Sequence, residues 1–295
     1  MSQTNAWTVG RLLTWTTDYL KQHGAASPRL DAEILLATAR RCERIQLYTS
    51  FDEDVDEDVR ATFRELVRRR AAGEPVAYLV GQREFFSLAF TVTPDVLIPR
   101  PETEHLVVEA LDLIKGHPAL DLPLAVADVG TGSGAIAVSI AKHAANCHVT
   151  AIDVCEKALQ VAGSNAERHE VLDRVELLVG DLLGGLPPEP QFDLILSNPP
   201  YVTKAELETL PDDVKCFEPH LALDGGQSGT ELIARLIPQA AERLRDDGWL
   251  LIEFSPMIEE ATHQLLVDDG RFREMQTIKD LAGLPRLVRA QRVAR

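Results

Sequence analysis

Asp128-Val129-Gly130-Thr131-Gly132-Ser133-Gly134 follows the apolar run Leu124 to Val129 and opens a segment with helical spacing. Glycines at every second position let a ligand approach the backbone at the carboxyl edge of a sheet, because no Cβ stands in the way. By itself such a loop is divided between nicotinamide, flavin and S-adenosylmethionine binding, with a purely structural turn as the plain alternative. Further short apolar runs follow at Val149 to Ile152, Val175 to Val179, Leu194 to Leu196 and Leu250 to Phe254, separated by helix-like segments. That alternation predicts βα units and a mainly parallel sheet, an α/β fold. Phe272 to Ile278 and Leu287 to Ala290 flank Gly283 and Pro285, which predicts an antiparallel hairpin at one side of the sheet.

Upstream of the loop the pattern is different. Val9, Leu12, Leu13, Thr16 and Leu20 recur at helical spacing, as do Leu30, Ile34, Leu35 and Thr38, so residues 7–72 read as helices. Ser27-Pro28 has the form of an N-cap followed by proline at the first helical position. The acidic stretch Asp52 to Asp58 precedes a third helix that ends in Arg68, Arg69 and Arg70, an order that complements the helix dipole. The arginines read as a solvated helix end, with a grip on a partner as the sharper alternative. Gly73-Glu74-Pro75 breaks the helical pattern, and Tyr78, Phe85, Phe86, Phe90 and Val92 between turn residues predict a β-hairpin over 76–98. The expected organisation is a helical domain over 1–75, a hairpin linker over 76–100 and an α/β domain over 101–295.

Composition narrows the function. With 295 residues and 45% hydrophobic content the chain can bury a full core, and 46 acidic against 30 basic residues give a formal charge of −16. Such a field repels phosphate backbones, so direct binding of duplex DNA is not expected. Cys42, Cys147, Cys155 and Cys216 show neither CxxC spacing nor a disulfide framework, which points to a reducing compartment and no metal site. Met1 to Gly10 lacks a basic region followed by an apolar core, and no stretch is long and apolar enough to span a bilayer, so a cytoplasmic enzyme is expected.

Two details favour S-adenosylmethionine at the glycine loop. The close GxGxG spacing of Gly130, Thr131, Gly132, Ser133 and Gly134 lacks the GxGxxG form that pyrophosphate recognition favours. The strand Val149 to Ile152 ends in Asp153, placed to accept hydrogen bonds from both ribose hydroxyls, which fits an adenosine-containing cofactor of either kind, and the second detail comes after the strand that follows. Gly180-Asp181-Leu182 then follows the next strand, where Asp181 can take an adenine amine and Leu182 can pack on the ring, although a strand-end Asp also serves as a helix cap.

Phe192 to Ser197 is a further strand that runs directly into Asn198-Pro199-Pro200-Tyr201. Two successive prolines fix φ and remove two backbone donors, leaving carbonyls that can only accept. The Asn198 side-chain oxygen and the Pro199 carbonyl can then accept from one NH2 group, while Tyr201 offers a flat face to a planar group. An amide or aromatic amine nitrogen is a poor nucleophile because its lone pair is delocalised. Holding both N–H groups on acceptors points the reacting face at a methyl donor, and positioning of this kind supplies on the order of 7–11 kcal/mol. Asn198, Pro199 and Tyr201 are therefore the candidate catalytic set, Asn198 also adjoins the cofactor, and Pro200 completes the substrate clamp.

The chain resembles the bacterial release factor glutamine methyltransferases, the PrmC/HemK family. The resemblance rests on Glu74-Pro75-Val76-Ala77-Tyr78 with Gly81 and Glu84-Phe85, on Leu97-Ile98-Pro99-Arg100-Pro101-Glu102-Thr103-Glu104, the glycine loop, Asp153, and Asn198 to Tyr201. It extends through Phe217-Glu218-Pro219 and Asp280-Leu281-Ala282-Gly283 with Arg286. It implies a class I S-adenosylmethionine-dependent methyltransferase of Rossmann-like fold, with a small N-terminal helical domain that docks the partner. The implied activity is N5-methylation of the glutamine in the Gly-Gly-Gln loop of peptide chain release factors; separately from the resemblance, a monomer is expected. The rival reading is a nucleic-acid adenine N6-methyltransferase, which shares Asn-Pro-Pro-Tyr; a non-catalytic binding protein of the same fold is a third. Arg100 and Glu102 lie near the site or fix the hairpin, and stay outside the catalytic set. Phe254-Ser255-Pro256-Met257-Ile258 departs from the glycine and glutamine that usually follow this strand in the family. The chain's own Gly225-Gly226-Gln227 reads as a turn and not as a substrate.

Overall fold

The structure is a computed structural model that describes residues 7–118 and 122–294; Met1 to Ala6, part of the stretch read above for a leader, lies outside the described residues. The chain divides into two compact units, Met1–Gln82 with Pro211–Phe217, and Arg83–Leu210 with Glu218–Arg295.

The first unit is built on helices α1 (Val9–Gln22), α2 (Pro28–Arg40), α3 (Arg44–Thr49), α4 (Glu57–Ala71) and α5 (Val76–Val80). In α1 the apolar stripe is the one the spacing predicts, with Val9, Leu12, Leu13, Thr16 and Leu20 buried, and Thr8 caps the helix by accepting from the Arg11 N–H at 3.3 Å. In α2 the predicted stripe is corrected: Leu30 and Thr38 are exposed, and Ala32, Leu35 and Leu36 face the core. The rotation turns Asp31 and Glu33 inward, and both are paired. Arg70 reaches Asp31 at 2.8 Å, while Glu33 accepts from Arg29, Arg44 and Tyr48. A charge is tolerated inside when its partners replace the lost water. Ser27 stands at the N-cap of α2 with Pro28 inside the first turn, but its side chain makes no capping bond.

The arginine run ends the fourth helix, not the third, because α3 intervenes with a capping box between Glu43 and Gln46. Arg68 pairs with Glu65, Arg69 with Glu74 and Arg70 with Asp31, so all three are committed within the unit. The hairpin expected over 76–98 is also corrected at its start. The Tyr78 and Leu79 N–H groups both donate to the Pro75 carbonyl, making 76–80 a helical turn that stops at Gly81 in the left-handed region, φ 72°. Strands β1 (Gln82–Phe85) and β2 (Leu88–Thr91) come only after it.

The second unit carries a seven-stranded sheet in the order β5-β4-β3-β6-β7-β9-β8. Its strands are β3 (Leu124–Val129), β4 (Cys147–Asp153), β5 (Val175–Val179), β6 (Phe192–Ser197), β7 (Leu244–Glu253), β8 (Phe272–Lys279) and β9 (Pro285–Arg292). The first five named are parallel to one another, and β9 pairs antiparallel with β7 and β8, as the sequence pattern predicts. Alternate residues of the strands enter two separate cores. Val126, Leu194 and Leu251 pack with α6 (Glu104–Lys115) and α7 (Ala135–His143), and Ala127, Ile195 and Ile252 with α11 (Glu231–Arg243) and α12 (Glu259–Asp269). Between lie α8 (Glu156–Arg168) after β4 and the short helix α9 (Lys204–Leu207) after β6, while α10 (Asp212–Phe217) belongs to the first unit. Successive strands are laid outward from β3, to β4 on one side and β6 on the other. The carboxyl ends of β3 and β6 therefore form the topological switch point at which open α/β sheets bind ligands.

Candidate active site

Both chemistry-bearing loops leave the sheet at that switch point. Val129 and Ser197 are partners in register, and the Ser197 hydroxyl donates to the Val129 carbonyl at 2.8 Å, which fastens the glycine loop to the start of Asn198 to Tyr201. Gly130, Gly132 and Gly134 all have positive φ, from 54° to 79°, a region costly for other residues. A Cβ at Gly130 or Gly132 would meet nothing within 4 Å, whereas one at Gly134 would lie 3.0 Å from the Ala162 side chain. The first two therefore open the backbone to a ligand and the third admits close packing of α7 on α8.

The loop is held by two carboxylates. Asp128, wholly buried, accepts from the Thr131 hydroxyl at 2.6 Å and the Ala137 N–H at 3.1 Å, tying the loop to the first turn of α7. Burial pushes its carboxyl up to about 7, against the lowering effect of those two bonds. Asp153 accepts from the Gly132 N–H through one oxygen and the Cys155 N–H through the other, each at 2.9 Å. Each oxygen keeps a further lone pair for a ligand hydroxyl. Ser133 is buried, and its carbonyl accepts at 2.8 Å from Asn165, which also exchanges two bonds with the Thr91 backbone and so pins β2 and the glycine loop to α8. Asp181 lies exposed beyond β5 with Arg235 of α11 at 2.6 Å, and Leu182 is half-buried with φ 54°.

The Asn198 side chain donates from Nδ2 to Thr103 Oγ1 at 3.1 Å, which leaves Oδ1 as a free acceptor direction. Pro199 and Pro200 remove the next two backbone donors. Behind them, Val202 exchanges backbone bonds with Leu223 and Gly225, and a Cβ at Gly225 would lie 2.6 Å from the Tyr201 Cα. Gly225-Gly226-Gln227 is thus a turn that backs the clamp, closed by Glu231, which accepts from the Gln227 and Ser228 N–H groups at 2.7 and 3.0 Å. Tyr201 packs on the core, and burial raises its hydroxyl well above the usual phenol range.

Three residues at this edge were not singled out by sequence reasoning: Asp128, Thr103 and Glu253. Asp128 was within reach, being the last polar residue before the glycines. Thr103 and Glu253 stand 95 and 55 residues away from Asn198, and although Thr103 lies in the Ile-Pro-Arg-Pro-Glu-Thr-Glu run, nothing local to either links it to Asn198. Glu253, at the end of β7, is buried, and burial pushes its carboxyl up to about 7, opposed by the Thr103 hydroxyl. The stretches of the Ile-Pro-Arg-Pro-Glu-Thr-Glu run and Glu218 also meet: Glu218 accepts from Arg100 at 2.5 Å and from the Ile98 N–H at 3.3 Å, while Glu104 accepts from the Phe86 N–H at 2.9 Å. Arg100 therefore has a structural partner. The atypical Ser255 to Ile258 segment forms a 3-10 turn, with the Ser255 hydroxyl accepting from the Met257 N–H at 3.4 Å, and leads into α12. Asp280 closes the β8–β9 turn through Ala282, Leu284 and Arg286, and Leu287 just after it pairs with Glu253 at the end of β7.

A cavity of about 430 Å³ lies elsewhere, within the helical unit, lined by Trp15, Phe63 and Arg64 among others. Convergent acceptors, not hollow volume, locate the chemistry, and they are at the sheet edge. Among the described residues no cluster of three or more His, Cys, Asp or Glu could hold a metal, and no helix is long and apolar enough to cross a membrane.

Residues 11–81 match the family described as PrmC N-terminal domain, and residues 112–211 the family described as methyltransferase small domain. A methyltransferase from Pyrococcus furiosus of known structure shares the fold, with a TM-score of 0.51 at 20% identity over 79% of this chain and 98% of that one. A release factor glutamine methyltransferase of Koribacter versatilis is 42% identical over 92% of this chain and 93% of its own. Its counterpart in Rhodopirellula baltica is 53% identical over 99% of this chain and 98% of its own. At that identity over nearly the whole length of both proteins, and with this fold and this sheet edge, the chain belongs to the release factor glutamine methyltransferase family.

Proposed function

We propose that this chain transfers a methyl group from S-adenosylmethionine to the side-chain amide nitrogen of the glutamine in the Gly-Gly-Gln loop of peptide chain release factors. The observation that carries the reading is the set of acceptors after β6: Asn198 Oδ1, released by the bond from Nδ2 to Thr103, beside a carbonyl-only Pro199-Pro200 backbone. Two acceptors for one NH2 group are what a primary amide needs to be held with its π face presented.

The residues present fit the cofactor. Open space over Gly130 and Gly132, together with Asp153 and Asp181, offers acceptors for hydroxyls and amines. A carboxylate-rich edge suits a cationic ligand and disfavours a diphosphate. When bound, S-adenosylmethionine supplies an electrophilic methyl on a sulfonium centre. Gly130, Thr131, Gly132, Ser133 and Gly134 would hold it with Asp153, Asp181 and Leu182, and Asn198 would border it. Asp181 would exchange or share its Arg235 partner when it takes the adenine amine. Asn198, Pro199, Pro200 and Tyr201 hold the substrate amide, Asn198 Oδ1 and the Pro199 carbonyl stabilising positive charge that grows on its nitrogen.

The reading assigns residues 1–75 to docking the release factor, 76–100 to a linker and 101–295 to catalysis, in a cytoplasmic monomer that makes no direct use of DNA. The test offers labelled S-adenosylmethionine with a purified release factor, the same factor with its Gly-Gly-Gln glutamine replaced, and DNA. Label on the intact factor that vanishes with the replaced glutamine establishes the activity. Label on DNA alone transfers the clamp to an adenine amine and overturns the substrate.

A further inference from the structure

Ser197 and Ile252 are partners in the parallel pairing of β6 with β7, so the next residues, Asn198 and Glu253, leave their strands side by side. Glu253 is 2% exposed, and its Oε2 has no hydrogen-bond partner, an unusual state for a buried carboxylate. Thr103, itself 4% exposed, accepts from Asn198 Nδ2 at 3.1 Å, and its hydroxyl faces the Glu253 carboxyl, where it favours the charged form. Thr103 occupies the N-cap position of α6 and yet makes no capping bond from its side chain. A hydroxyl at a position where it could cap a helix start is here engaged by Asn198 instead.

The arrangement has a direction. The two ends of an asparagine amide are nearly the same shape, and the clamp works only with the oxygen outward. A threonine hydroxyl donates one hydrogen and accepts others, so it is indifferent by itself to which end of Asn198 it meets. An ionised carboxylate is not indifferent, since it can only accept. It takes the Thr103 hydrogen, and Thr103 Oγ1 is then left to accept from Asn198 Nδ2. We propose that Glu253 is a positioning residue which acts through Thr103 to fix the Asn198 amide with Nδ2 inward and Oδ1 toward the substrate. This rests on the glutamine-amide reading above and adds to it the group that sets the polarity of the clamp.

Protonation reverses the chain. A neutral Glu253 can donate to Thr103, whose hydrogen then goes to Asn198, and the amide turns its oxygen inward. The groups that face Glu253 are the Thr103 and Tyr201 hydroxyls, the carboxylate of Glu102, which favours the neutral form, and the Arg286 guanidinium, which favours the charged one. Burial outweighs the last and brings the change to about pH 7.

The experiment is steady-state methyl transfer to a purified release factor from pH 6 to 9, with S-adenosylmethionine binding measured in parallel, for the wild type, Thr103→Val, Thr103→Ser, Glu253→Gln and Asn198→Ala. Thr103→Val is expected to lower kcat at least about tenfold at pH 8 with KM and cofactor affinity little changed, and Thr103→Ser to restore most of it. Wild-type kcat should fall below pH 7, and Glu253→Gln should be slower and lack that acid limb. Wild-type kcat in Thr103→Val, or an acid limb unmoved in Glu253→Gln, overturns the proposal. Should Glu253→Gln fail to fold, the two Thr103 variants decide. Asn198→Ala separates the two readings: if it turns over normally the amide clamp itself is wrong, whereas an inactive Asn198→Ala beside a fully active Thr103→Val removes only the role of Thr103 and Glu253.

Discussion

In the proposed reading Asn198 does its work with one atom. Its Nδ2 is spent on Thr103 at 3.1 Å, so removing the side chain deletes one acceptor from the substrate site and leaves Thr103 able to find another partner. Asn198→Ala should therefore fold, keep its affinity for S-adenosylmethionine within a few-fold, and lose about 10²–10³ in kcat, the scale seen when one group aimed at a developing charge is removed. Calorimetric titration of the cofactor alongside single-turnover methyl transfer checks both halves, and a turnover near that of the wild type would refute the clamp. The place of this residue at the sheet edge was legible because its four-letter motif directly follows an apolar strand. The place of Asp153 was legible because it closes an apolar strand. Glu253 was not, since what brings it beside Asn198 is a parallel register, Ser197 with Ile252, that joins distant strand ends, and Thr103 was not, since only the fold brings it to Asn198 Nδ2.

The glycines behind the clamp matter at the scale of a whole turn. Gly225 packs where a Cβ would fall 2.6 Å from the Tyr201 Cα and 2.9 Å from the Pro200 carbonyl oxygen, both backbone atoms that cannot swing aside. Gly225→Ala should push the turn after β6 away from its seat, lowering stability by about 1–3 kcal/mol and methyl transfer by more than tenfold, while cofactor affinity is spared. A denaturant melt and a turnover assay test it together, and an unperturbed turnover would show that the clamp does not depend on this seat. Elements were read with uneven success for physical reasons. The buried strands β3 and β6 are short apolar runs and were found; the exposure of Leu30 on α2 was not, because ion pairs turn Asp31 and Glu33 inward in place of an aliphatic stripe. Likewise, residues 76–80 carry strand-forming side chains but sit between Pro75 and Gly81, which set up and stop a single helical turn.

Over the whole molecule, charge is the property that remains to be used. Asp128 and Glu253 are both buried and both pushed up to about 7, so between about pH 5 and 7 the folded chain keeps protons that the unfolded chain has released. Stability must then fall as pH rises through that window and level off above it, by on the order of 3 kcal/mol for each group. Urea melts at pH 5.5 and 8 read the difference, and equal or greater stability at pH 8 would contradict it. The remaining acidic groups act outward. A formal charge of −16 on 295 residues surrounds a sheet edge that already carries Asp153 and Asp181, a field that draws in a basic protein loop and turns away a phosphate backbone. Screening shortens that reach from about 30 Å at 0.01 M salt to about 8 Å at 0.15 M. The association rate with a release factor, measured by stopped flow across this range, should drop about tenfold while the dissociation rate moves little, because steering acts on the encounter and not on the docked contacts. A rate that stays flat with ionic strength would mean that the negative charge serves solubility and that the partner is recognised by contact alone.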